Sequence, residues 1–101
     1  MKGGIMKKLD KILKIIKENE KQLREEFKIK KMAVFGSYAR DEQDETSDMD
    51  ILVEFSEPVG FEFFRAQRFL EKKTGVKIDL VTRDAIKPEI EENILRDLVH
   101  V

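Results

Sequence analysis

The residues best placed to do chemistry are a Gly-Ser pair, Gly36-Ser37, and three aspartates, Asp48, Asp50 and Asp79. Asp48 and Asp50 stand at i and i+2 at the start of an apolar run. On a strand, that spacing points both side chains to one face. Asp79 lies inside Lys-Ile-Asp-Leu-Val, among residues that read as buried. An unpaired carboxylate in such company costs roughly several kcal/mol or stays protonated. If the two strands are neighbours, the three carboxylates converge on one patch, and divalent cations are the usual means of neutralising it. With only oxygen ligands on offer, the site selects a hard ion such as Mg²⁺. Gly36-Ser37 falls where a strand ends and a helical turn begins. There a glycine lets a ligand approach the backbone, and a hydroxyl with free N–H groups can hold an anion. Each feature alone is commonplace. Together they set a phosphate cradle beside a carboxylate cluster able to take two metal ions, the apparatus of an in-line phosphoryl displacement.

Composition removes the competing chemistries. The 101 residues contain no cysteine, which excludes a disulfide scaffold, a thiolate zinc site and a thiol nucleophile. The single histidine, His100, leaves no basis for a histidine-centred triad or a multi-histidine metal site. With 20 Lys+Arg against 21 Asp+Glu the net charge is −1, and 41% of residues are hydrophobic, so the chain folds rather than staying disordered. No apolar run reaches the roughly 18 residues of a membrane helix, and nothing resembles a signal peptide, so a cytoplasmic protein with no membrane partner is expected. The charge is uneven: residues 1–31 carry a net of +6 and residues 32–101 a net of −7. This reads as a basic solvated face complementary to an acidic remainder, and no direct nucleic-acid binding is expected.

Positioning the candidate residues requires a small α/β domain. Ile5, Leu9, Ile12, Leu13, Ile16, Leu23 and Phe27 recur at three- and four-residue steps and predict one basic helix over 5–27. Residues 30–36 read as a buried strand, and Ser37 to Asp41 as a short helix capped by the serine. Met49 to Phe55 alternates as a second strand. Phe61, Phe64, Ala66, Phe69 and Leu70 mark a helix ending near Gly75, with the phenylalanines assigned to the core. Val76 to Thr82 is a third strand. A last helix, from Ala85 or Pro88, carries Ile86, Ile90, Ile94 and Leu98, and His100 falls in the tail. The expected fold is α/β: a small mixed sheet of at least three strands with flanking helices, in one domain spanning 1–101 with its core at 30–101.

Gly36-Ser37, ten residues, then Asp48-Met49-Asp50 resembles the G-S-x10-D-x-D signature of the DNA polymerase β-like nucleotidyltransferase superfamily. The wording Phe35-Gly36-Ser37-Tyr38-Ala39-Arg40 and Ser47-Asp48-Met49-Asp50-Ile51-Leu52-Val53 is similar to its smallest branch, the minimal nucleotidyltransferases. The likeness runs over roughly residues 30–101. One departure is Asp41, where many members carry glycine. The resemblance implies a polymerase β-like fold, with Asp48, Asp50 and Asp79 as catalytic and metal-binding residues for two Mg²⁺ ions. Asp79 would sit beside the attacking hydroxyl, and Gly36 and Ser37 would hold the β,γ-phosphates of an NTP. Arg40 is a candidate nucleotide contact, a partner contact or a plain surface residue.

Members this short are similar to the antitoxin half of HEPN–minimal nucleotidyltransferase (type VII) toxin–antitoxin pairs. That implies a protein adenylyltransferase moving AMP from ATP to a tyrosine of a HEPN-family RNase toxin, within a hetero-oligomer with that partner. Two alternatives stay open: transfer of a nucleotide to a small molecule or RNA end, and a non-catalytic module that masks its partner by contact.

Overall fold

Alternation along the strands decides which way the sheet faces. In the computed structural model, which describes residues 8–101, Met49, Ile51 and Val53 of the second strand are almost wholly buried, while Asp50, Leu52 and Glu54 point to the opposite face. The elements in chain order are α1 (Lys8–Glu18), α2 (Glu20–Glu25), β1 (Ile29–Phe35), β2 (Met49–Phe55), α3 (Phe61–Thr74), β3 (Ile78–Thr82), a 3₁₀ turn (Arg83–Ala85), α4 (Pro88–Arg96) and β4 (Val99–His100). They form one four-stranded mixed sheet in the order β3-β2-β1-β4. β1 runs antiparallel to β2 and to β4, whereas β2 and β3 are parallel. Parallel neighbours need a crossover, and α3 supplies it.

The core lies on one side of this sheet. Met32 and Val34 of β1, Met49, Ile51 and Val53 of β2, and Ile78 and Leu80 of β3 meet Ile12 and Ile16 of α1, Leu23 of α2, and Ala66 and Leu70 of α3. Phe27 closes the end of this layer, its ring centroid 5.0 Å from that of Phe69. α3 stops at Gly75, whose φ of +74° supplies the left-handed cap and whose N–H donates to the Glu71 carbonyl.

Four expectations are corrected. The single helix over 5–27 is two helices; residues 5–7 lie outside the described residues. Asn19 makes the break: its side-chain amide donates to the Ile15 carbonyl at 2.8 Å and its backbone N–H turns to the Ile16 carbonyl. Asparagine competes in this way with the helical ladder. The short helix over Ser37–Asp41 is a run of turns, with bonds from Arg40 N–H to the Gly36 carbonyl (3.2 Å) and from Glu42 N–H to the Ser37 carbonyl (2.8 Å). Not all phenylalanines of α3 are core: Phe61 is 83% and Phe64 62% exposed, because the buried stripe runs through Ala66 and Leu70, with Phe63 and Phe69 at its edges. His100, expected only as a tail residue, belongs to a fourth strand, since Val99 and His100 pair with Val34 and Ala33. Among the described residues no helix is long and apolar enough to cross a membrane.

Candidate active site

The turn after β1 and the start of β2 meet at one end of the sheet, on the face away from the core. Gly36 has φ +76°, in the left-handed region that favours glycine. It also stands against Asp50: a Cβ at position 36 would collide with Asp50 Oδ2 and lie 3.3 Å from its Cγ. Glycine is therefore demanded twice, by the backbone and by the carboxylate filling the space its side chain would occupy. Register accounts for this, because Phe35 pairs with Asp50 across the antiparallel ladder. On the other side of β2, Asp50 pairs with Asp79 of β3. Paired residues on adjacent strands share a face and sit roughly 4.8 Å apart. Asp48, just ahead of β2, completes the group.

Of the three carboxylates, Asp50 is half-buried while Asp48 and Asp79 are exposed. Asp79 was expected among buried neighbours; the alternation is right, but the face it occupies is open. None of the three makes a hydrogen bond or ion pair among the described residues. Their mutual repulsion is legible at Asp50, whose carboxyl is held above its ordinary pKa first by burial, then by Asp79, then by Asp48, with Arg40 pulling the other way. As the side chains stand, no three Asp, Glu or His groups among the described residues close around a metal ion. The donor set still suits one: hard oxygens only, two of the three on exposed side chains, and a charge repulsion that a cation relieves.

The turn itself offers donors. The N–H groups of Ser37, Tyr38 and Ala39 reach no backbone acceptor among the described residues, and the Ser37 hydroxyl makes no hydrogen bond there. Successive free amides of this kind form an anion-binding concavity. The cradle thus arises from turn geometry rather than from the helix start expected from sequence. Tyr38, 2% exposed and part of the core cluster, anchors the turn from beneath. Asp41 ends it at φ +59°, a left-handed conformation that aspartate tolerates better than most residues. That is the physical reason a glycine suits the same place.

Arg40 is engaged rather than free. Its Nε donates to Glu42 at 2.9 Å and its Nη1 to Asp97 at 3.1 Å, tying the turn to the end of α4. Between them lies a groove of about 350 Å³ walled by Phe35, Gly36, Ile90, Asn93 and Ile94. The sequence places Ile90 and Ile94 on the last helix, but nothing in their spacing tells that they line a groove against Phe35 and Gly36.

The arrangement is that of a minimal α/β domain presenting acidic strand ends to a Gly-Ser turn. The family model described as "Nucleotidyltransferase domain" matches residues 9–101. A Methanocaldococcus jannaschii protein, named as a candidate protein adenylyltransferase, is 47% identical over 98 residues, covering 95% of this chain and 100% of the relative. The protein adenylyltransferase MntA of Thermococcus cleftensis is 40% identical over 94 residues, covering 92% and 95%. A solved structure described as a candidate minimal nucleotidyltransferase superposes with a TM-score of 0.75 at 33% identity, covering 90% of this chain and 93% of that one. A chain from the complex of the tri-AMPylated Shewanella oneidensis HEPN toxin with its MNT antitoxin gives a TM-score of 0.56 at 18% identity, over 92% of this chain and 67% of that one. That last likeness is one of fold. The chain belongs to the nucleotidyltransferase domain family, in its minimal form.

Proposed function

We propose that this nucleotidyltransferase moves AMP from ATP to a tyrosine hydroxyl of a HEPN-type RNase and thereby acts as its antitoxin. The observation that carries the site is the contact of Asp50 with Gly36, which brings an unpaired carboxylate cluster to the edge of an amide-lined turn. The names of two relatives at 40% and 47% identity support protein adenylylation as the reaction. The likeness to the antitoxin fold supports a HEPN partner.

In this reading the free N–H groups of Ser37, Tyr38 and Ala39, the Gly36 backbone beside them and the Ser37 hydroxyl hold the β,γ-phosphates. Asp48, Asp50 and Asp79 hold Mg²⁺, two ions in the fullest form, which when bound offsets the triphosphate charge and lowers the pKa of the acceptor hydroxyl. Asp79, exposed on β3, faces the side from which an acceptor arrives. The tyrosine oxygen bonds to the α-phosphorus, the α,β-bridging bond breaks, pyrophosphate leaves with the electron pair, and the phenolic proton passes to solvent. Arg40 positions the turn through Asp97 and lies within reach of the nucleotide. Residues 30–101 form the catalytic core, with α1 and α2 as its support. In this reading the activity is cytoplasmic, where ATP and an RNase's targets are found together.

The test is intact-mass measurement of a HEPN-type RNase after incubation with this protein, Mg²⁺ and ATP, beside an Asp48→Asn/Asp50→Asn control. Gain of one or more AMP units on the RNase, absent in the control, is the expected result. Tight complex formation with no mass gain on either protein would replace it with masking by contact alone.

A further inference from the structure

We infer that the groove between the Gly36 turn and α4 receives the base of the nucleotide, with Asn93 holding its hydrogen-bonding edge. The inference rests on the nucleotide reading above and extends it to the other end of the ligand. A nucleotide needs two unlike surfaces, an anion cradle for its phosphates and an apolar slot with few polar groups for its base. Between the β,γ-phosphates in the turn and the base lie the α-phosphate and the ribose. The groove suits that span, because Gly36, which abuts Asp50 where the α-phosphate would lie, also belongs to the groove wall. A larger hollow of about 820 Å³ does not: it opens around Phe55, Pro58 and Thr82, at the far end of β2, and shares no residue with the turn.

The wall residues have chemistry that folding alone leaves unexplained. Ile90 is 46% exposed and lines the groove with Phe35 and Gly36. Ile94, one turn later, lines the same groove, and Phe35 forms its floor at the end of β1. Asn93 is the one uncharged polar side chain of α4, among Glu89, Glu91, Glu92 and Arg96. It is exposed and makes no hydrogen bond among the described residues, and asparagine is a poor helix former, so neither capping nor propensity accounts for it. Across the mouth, Arg40 and Asp97 satisfy each other at 3.1 Å, leaving the carboxamide as the groove's uncommitted polar group.

A carboxamide presents one donor and one acceptor and can turn over. It therefore fits adenine, which offers an amino donor beside a ring acceptor, and with the amide reversed it fits guanine. Asn93 holds a purine without choosing between the two. An aspartate at this place only accepts, which suits the N–H and amino groups of guanine and opposes the ring acceptor of adenine.

Equilibrium binding of ATP, GTP and tripolyphosphate, each with Mg²⁺, tests this on the wild type, Asn93→Asp and Asn93→Ala. Asn93→Asp should weaken ATP about tenfold or more while sparing GTP, and Asn93→Ala should weaken both nucleotides. Tripolyphosphate affinity should be the same in all three proteins, which separates base recognition from damage to the fold. Unchanged ATP and GTP binding in both variants, or equal loss of all three ligands, overturns the inference while leaving the nucleotide reading intact. A wild type that binds none of the three overturns both.

Discussion

Gly36 and Asp50 occupy each other's space, and that makes the pair the most sensitive point of the chain. Gly36→Ala adds a methyl group where a carboxylate already stands and forces a left-handed backbone on an L-residue, so a loss of about 2–4 kcal/mol is expected. Chemical denaturation reads the loss, and nucleotide transfer should fall with it. The double variant Gly36→Ala/Asp50→Ala should recover part of the stability, because the collision is gone and only the backbone term remains. Simple additivity in that cycle would refute the steric account. Asp50 also sets a pH dependence. Its native pKa is raised above the ordinary carboxylate value of 3.8 by burial, Asp79 and Asp48, so the native state binds the proton more firmly than the unfolded chain does. Stability must then decline as pH rises from the ordinary value through the raised one, and Asp50→Asn should abolish that part of the decline. Urea midpoints without Mg²⁺ from about pH 3.5 to 7 measure it, and parallel curves for the two proteins would contradict the shift. The spacing of Asp48, Asp50 and Asp79 was legible in the sequence because strand alternation is a strict rule. The intimacy of Gly36 with Asp50 was not, since it depends on antiparallel register between β1 and β2.

Each element shows where pattern suffices and where it fails. β2 is legible from alternation alone, and its observed bounds, Met49–Phe55, coincide with the expected ones. α3 is legible as a helix, yet its phenylalanines were misassigned because four aromatic residues in fourteen fit more than one apolar stripe. The break at Asn19 hangs on one side-chain-to-carbonyl bond, which periodicity cannot register. β4 offers two residues, too few for any period, and it emerges only when β1 supplies a partner. Gly75 caps α3 at φ +74° with open space where a Cβ would go, so the cost of Gly75→Ala is backbone strain alone. About 1 kcal/mol of lost stability with unchanged transfer activity is expected, and thermal melts with an activity assay check both. The tie between Arg40 and Asp97 belongs to this scale too, since it joins a turn to a helix. Asp97→Ala frees the guanidinium and loosens α4. ATP affinity should fall severalfold while the melting temperature moves little, as befits an exposed ion pair. A large melting shift with unchanged affinity would assign the pair to stability instead.

The whole molecule is lopsided. One face of the sheet is packed by α1, α2 and α3, and the other carries the carboxylates with only partial cover from α4. A fully wrapped sheet would bury the aspartates and close the groove, so the incomplete cover is what leaves the site open to ligand and acceptor. The fold class and the acidic strand ends were readable from one sequence because they follow from local pattern. The groove was not, because its two walls lie far apart in the chain. Arg40 and Asp97 are separated by 57 residues, and β4 must cross back to lie beside β1. A wall closed across so long a separation costs more loop-closure entropy than the neighbouring β1–β2 pair, so the groove is expected to form late in folding and to open before the strands part.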